Sequence, residues 1–86
     1  MLFRISNHAQ EEMKRRSIPG KILDMILNDP QQIVPERGNL KAYPSVVDFG
    51  DDKQFLMRAI VDDTLEPAIV VTVYRISKIS KYWRRS

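Results

Sequence analysis

The chain has 86 residues, of which 43% are hydrophobic and 29% charged, a balance typical of one small folded domain rather than a disordered segment. It contains no cysteine and a single histidine, which excludes disulfide scaffolds, thiolate metal sites and thiol nucleophiles. The formal net charge is only +3, so the distribution of charge along the chain matters more than its total.

No stretch supplies the roughly 20 consecutive apolar residues that a membrane span requires, and the N-terminus lacks the apolar core of a signal peptide. We therefore expect one cytoplasmic domain over residues 1–86, with no metal and no cofactor.

The first third of the chain predicts two helices. Apolar residues spaced by four predict a helix from Asn7 to Arg16, with Ser6 or Asn7 as its N-cap. A second helix is predicted with Ser17 or Ile18 at its cap, and Pro30 prevents its extension.

After residue 30 the pattern becomes typical of strands. A short edge strand over 31–36 precedes three longer strands over 40–49, 53–62 and 67–76, which the turn formers of 50–52 and 63–67 separate. Such short connections favour antiparallel neighbours. The predicted fold is therefore α+β, with two N-terminal helices packed on one face of a four-stranded antiparallel sheet.

The last strand carries two distinct sets of side chains, because alternate residues of a strand face opposite sides of a sheet. The apolar set is predicted to face the helices, and it comprises Ile69, Val71 and Val73. The other set, Val70, Thr72 and Tyr74, is predicted on the opposite face, and Arg58 alternates onto that face from the preceding strand. A guanidinium beside hydroxyl groups suits phosphate oxygens.

His8 lies near the start of the first predicted helix and is the natural candidate for proton transfer. It shares one helix edge with Glu12, Arg15 and Arg16. A neutral imidazole can accept a proton, as a general base must. A lone histidine on a helix edge is more often a capping or packing residue, so both interpretations stay open on spacing alone.

Basic residues are concentrated at the C-terminus, where Arg75 to Ser86 contain five bases and no acid. Aromatic residues lie among these bases, and Tyr43 is a further aromatic that could stack on a nucleotide base. The residues predicted to bind substrate are Arg15, Thr72, Arg75, Lys78, Lys81, Tyr82 and Trp83. A solvated tail over 77–86, with Trp83 packed on the core, is the alternative.

The remaining residues limit the chemistry. The carboxylates Asp51, Asp52, Asp62 and Asp63 lie in apparent turns rather than in a metal-binding cluster, there is no glycine-rich phosphate loop, and no serine motif pairs with His8. Metal-free RNA cleavage fits this inventory best, because the 2′-hydroxyl of the RNA is itself the nucleophile. The residues predicted to be catalytic are His8, Arg16, Arg58 and Tyr74.

Several short motifs resemble one known family. "HAQEEMKRRSI", the following "ILNDPQQI", Arg58 before "AIV", and the closing "VVTVYRISKISKYW" are similar to the bacterial domain-of-unknown-function family 4258. That family is grouped by fold with RelE and BrnT type toxin nucleases, which implies a RelE- or barnase-like small toxin fold. One departure is that this chain has Glu12 where members often have arginine.

The resemblance implies a small metal-independent ribonuclease of the toxin-antitoxin type, with RNA and a cognate antitoxin protein as partners. It points to His8, Arg16, Arg58, Thr72 and Tyr74. The alternative is a non-catalytic module of the same fold that binds nucleic acid or protein.

Overall fold

A computed structural model describes residues 3–48 and 54–76. The described elements are β1 (Phe3–Ile5), α1 (Asn7–Arg15), α2 (Gly20–Asn28), β2 (Val34–Pro35), β3 (Leu40–Asp48), β4 (Gln54–Asp62) and β5 (Ala68–Ile76). The two predicted helices and the α+β class are confirmed. The turn predicted at 50–52 and the tail at 77–86 lie outside the described residues.

The sheet differs from the prediction. It has five strands in the order β1-β5-β4-β3-β2, and β1 pairs with β5 in parallel. The prediction of a four-stranded antiparallel sheet is therefore wrong. Strand β1, which the sequence did not predict, is only three residues long and therefore too short to show a period. Its last residue, Ile5, also fits the apolar stripe of the first helix.

The second helix begins later than predicted, because the residues expected to cap it end the first helix instead. Ser17 has a φ of 53°, and the next residue, Ile18, donates its N–H to the Met13 carbonyl. This is the left-handed C-terminal turn that closes many helices. Pro19 is then the N-cap of α2, and it supplies no side-chain hydrogen bond there.

The edge strand β2 covers two residues rather than the six predicted. Upstream of it, the Gln31 side chain replaces a strand: its amide accepts the Val46 N–H at 3.1 Å and donates to the Val46 carbonyl at 3.3 Å. A side chain thus satisfies the outer edge of β3 at this point, and Pro44 has no N–H to offer there.

Both helices pack on one face of the sheet, as predicted. The core between them includes Ala9, Leu23 and Ile26 from the helices and Met57, Ala59 and Val61 from β4. Helix α1 packs chiefly against β5, whereas α2 lies over β3 and β4. The face away from the helices also carries buried residues, namely Ala42, Pro44, Leu56 and Ile60.

A bulge in β5 changes which residues face the core. Val70 pairs with Val61 and Thr72 with Ile60, so Val71 is an extra residue without a partner on β4. Val70 and Val73 are both fully buried in the core. The prediction that Ile69 and Val71 face the helices is therefore wrong, because the extra residue shifts the alternation by one.

Ser6 links this bulge to α1. Its N–H donates to the Val70 carbonyl at 3.1 Å, and its hydroxyl donates to the Val71 carbonyl at 2.9 Å. The same hydroxyl oxygen accepts the Ala9 N–H at 3.1 Å as the N-cap of α1. One side chain therefore fixes the start of the helix against the bulge.

Ser6→Ala should lower the free energy of unfolding by about 1–2 kcal/mol, because it removes a helix cap and leaves a strand carbonyl without its donor. Urea unfolding measures this difference. Ser6→Thr, which retains a hydroxyl, is the matched control and should lose less. Equal stability of Ser6→Ala and the wild type would contradict the role assigned to this hydroxyl.

Candidate functional site

The clearest polar cluster lies on the sheet face away from the helices and is centred on Arg58. Arg58 on β4 stands directly opposite Tyr74 on β5, and its Nη1 donates a hydrogen bond to the Tyr74 hydroxyl. Its Nη2 donates to Glu36 Oε2 at 2.7 Å. The guanidinium therefore lies between a phenol hydroxyl and a carboxylate, and we call these three residues the Arg58 cluster.

Burial strengthens the contacts of the Arg58 cluster. The Arg58 side chain is 14% exposed and that of Glu36 is 35% exposed, and Leu56 and Ile60 flank Arg58 on the same face of β4. Charged groups among apolar neighbours interact more strongly than they do in open solvent. Glu36 is the more exposed partner of this ion pair and Arg58 the more buried one.

The three polar residues predicted to share this face do so. Thr72 lies two residues before Tyr74 on β5 and pairs with Ile60, while Tyr74 pairs with Arg58. Arg75 faces the other side of the sheet, where its guanidinium carbon lies 4.8 Å from the centre of the Phe55 ring. Arg75 therefore does not share a face with Thr72 and Tyr74.

A second group of predicted residues lies on α1. His8 is exposed in the first turn. The Glu12 carboxylate, only 13% exposed, lies 2.6 Å from Arg15 Nη2 and 3.5 Å from Arg16 Nη2. Glu12 thus pairs with both neighbouring arginines. Within the described part of the chain, the buried Arg16 Nε has no acceptor.

The structure does not bring the four predicted catalytic residues into one cluster. Arg58 and Tyr74 lie on the face away from the helices, whereas His8 and Arg16 belong to a helix packed against the other face. Among residues 3–48 and 54–76, no hydrogen bond or ion pair joins the two groups. The predicted contacts Lys78, Lys81, Tyr82 and Trp83 lie outside the described residues.

Tyr43 is not available for stacking on a base. It is 5% exposed and packs edge-to-face on Phe3, with 6.2 Å between the ring centres. Burial raises the pKa of its hydroxyl, and the Asp63 carboxylate raises it further. Asp63 also accepts a hydrogen bond from Lys41 Nζ at 2.6 Å, which raises the pKa of that ammonium group.

Glu36 is the member of the cluster that sequence reasoning missed. It follows β2, and its N–H donates to the Leu40 carbonyl across a turn in which Gly38 has a φ of 61°. That turn places Glu36 on the Arg58 face of the sheet. No periodicity over two strand residues signals this placement, since it depends on the register of β2 with β3.

The described residues contain no group of three or more acidic or histidine side chains arranged to hold a metal ion. No helix among them is both long and apolar enough to cross a membrane.

A family model described as "Domain of unknown function (DUF4258)" matches residues 5–75. The match contains His8, Arg16, Arg58, Thr72 and Tyr74, and it ends before the basic tail. No curated protein and no solved structure matches the chain.

Proposed function

The chain belongs to the DUF4258 family, and we propose that it is a small, cytoplasmic, metal-independent ribonuclease of the toxin-like kind. The observation that supports this most is the Arg58–Tyr74 contact. It holds a cation and a proton donor side by side, which are two of the groups that cleavage of a phosphodiester requires. The wider relation to RelE and BrnT type toxins is part of the same proposal.

In the proposed reaction the RNA 2′-oxygen attacks the adjacent phosphorus and the bond from phosphorus to the 5′-oxygen breaks. Arg58 stabilises the negative charge that develops on the phosphate oxygens. Tyr74 gives its proton to the departing 5′-oxygen. The products are a 2′,3′-cyclic phosphate and a 5′-hydroxyl end. His8 and Arg16 belong to α1, which packs against the opposite face of the sheet, so we assign them no part in this step.

The test is incubation of the purified protein with RNA in EDTA. The wild type should cleave, and Tyr74→Phe should lower the rate about 100-fold or more, because general acid catalysis contributes factors of this size. His8→Ala, which leaves the Arg58 cluster intact, should stay within about threefold of the wild type. Absence of cleavage by the wild type, or a fully active Tyr74→Phe, would contradict the proposal.

A non-catalytic binding module is the second candidate, and the ion pairs favour it. Glu36 already pairs with Arg58, and Glu12 pairs with both Arg15 and Arg16 and offsets one of their two charges. Under this alternative the protein binds RNA or a protein partner without turnover. Loss of binding on truncation after Ile76, together with no cleavage by the full chain, would favour it. If the protein is a ribonuclease of the toxin-like kind, a cognate antitoxin protein is its proposed partner.

A further inference from the structure

We propose that Glu36 is the general base of the ribonuclease site, which rests on the proposed function above. The sequence suggested a histidine for this role, but His8 lies with α1 on the other side of the sheet. Within the Arg58 cluster, the carboxylate of Glu36 is the group that can accept a proton. A carboxylate is ionised at neutral pH and can accept the 2′-hydroxyl proton.

The geometry of the cluster suits displacement at phosphorus. Glu36 and Tyr74 contact different terminal nitrogens of the same guanidinium, Nη2 and Nη1. They therefore flank the cation that binds the phosphate. The attacking and departing oxygens of an in-line displacement also lie on opposite sides of the phosphorus, so a base and an acid are needed on two sides of one phosphate.

The proton balance closes with these residues alone. Glu36 Oε2 takes the proton of the 2′-hydroxyl as the bond from the 2′-oxygen to phosphorus forms. Tyr74 gives its proton to the 5′-oxygen as that bond breaks. Glu36 then releases its proton to solvent, and the Tyr74 phenolate takes a proton from solvent. Both side chains are thereby back in their starting states.

Exposure supports the same assignment. The Glu36 side chain is 35% exposed while that of Arg58 is 14% exposed, so the carboxylate is the more accessible of the two groups to a ligand from solvent. The backbone of Glu36 is held by its hydrogen bond to Leu40. This hydrogen bond fixes the position from which the Glu36 side chain reaches Arg58.

The experiment compares Glu36→Gln with the wild type in the full chain. Binding is measured with a 2′-O-methyl RNA that cannot be cleaved, and single-turnover cleavage with the matching RNA in EDTA. Glu36→Gln should bind at least as tightly as the wild type, because a negative charge beside the phosphate is removed. Its cleavage rate should fall about 100-fold or more. Asp24→Asn on α2, with the same change of charge, is the matched control and should alter neither.

The pH profile separates a base from a positioning residue. If Glu36 is the base, the pH profile of cleavage by the wild type should differ from that of the residual activity of Glu36→Gln. Tyr74→Phe, which retains Glu36, should keep the part of the profile that Glu36→Gln loses.

Two results would overturn the assignment while leaving the ribonuclease proposal intact. One is cleavage by Glu36→Gln within about threefold of the wild type. The other is loss of RNA binding in parallel with loss of rate, which would make Glu36 a positioning residue for Arg58. A wild type that binds RNA but does not cleave it would overturn the proposed function and this inference with it.

Discussion

Arg58→Ala is expected to reduce RNA cleavage by about 100- to 1000-fold, the loss typical when a charge-stabilising donor is removed from a catalytic site. Arg58 is the residue that Glu36 and Tyr74 both contact. Its removal takes away the residue proposed to bind the phosphate. The same change removes the group that holds the acid, Tyr74, and the base, Glu36, in place. Single-turnover cleavage in EDTA measures the effect.

Arg58→Lys should recover only part of this activity. Lysine keeps the positive charge, but a single ammonium cannot reproduce the planar guanidinium that holds Glu36 on one nitrogen and Tyr74 on another. Lys21→Ala on α2 removes a positive charge from the other side of the sheet and serves as the charge control. If Arg58→Ala and Lys21→Ala lose activity equally, the effect is one of net charge and the site assignment fails.

The sequence predicts the helices and the three long strands well because each has a clear period. Helix α1 ends within one residue of its predicted boundary, and β3 and β4 match the prediction at every described residue, since residues 49 and 53 lie outside the described ranges. Periodicity is strongest where one face of an element is buried along its whole length. Strand β1, with three residues, and β2, with two, have no such length.

The same reasoning explains which part of the site was predictable. Arg58 and Tyr74 meet because both alternate onto one face of neighbouring strands, which the sequence shows directly. Glu36 reaches them only through the turn before Leu40 and the pairing of β2 with β3, and neither is encoded in a local period. Its assignment therefore needed the structure.

The separation of His8 from Arg58 follows from the predicted fold itself. Helices packed on one face place α1 on that side, and the alternation of β4 places Arg58 on the other. One catalytic site containing both His8 and Arg58 would require the edge of α1 to extend past the sheet to its other face. In the structure α1 instead buries Ala9 against the core, and His8 faces solvent.

The bulge in β5 determines which of its residues face the core and which face the Arg58 cluster. It allows Val70 and Val73 to face the helices while Thr72 and Tyr74 face Arg58. A regular strand places Val70 and Thr72 on the same face, as simple alternation predicts. Two adjacent valines, Val70 and Val71, therefore have roles opposite to those that alternation assigns them.

Val70→Asp is expected to unfold the protein at room temperature, whereas Val71→Asp should remain folded. Val70 is 0% exposed in the core, and an unpaired carboxylate buried there costs about 4–5 kcal/mol or more. This is comparable to the whole stability of so small a domain. Val71 is the half-buried bulge residue. It contacts Ser6 through its backbone carbonyl, which the substitution retains, so Val71→Asp should lower the free energy of unfolding by only about 1 kcal/mol.

Circular dichroism during thermal unfolding distinguishes the two variants. Because they make the same substitution one residue apart, each controls for the other. The reverse result, with Val71→Asp unfolded and Val70→Asp folded, would restore the simple alternation and remove the bulge, with Thr72 and Tyr74 still on the face of Arg58.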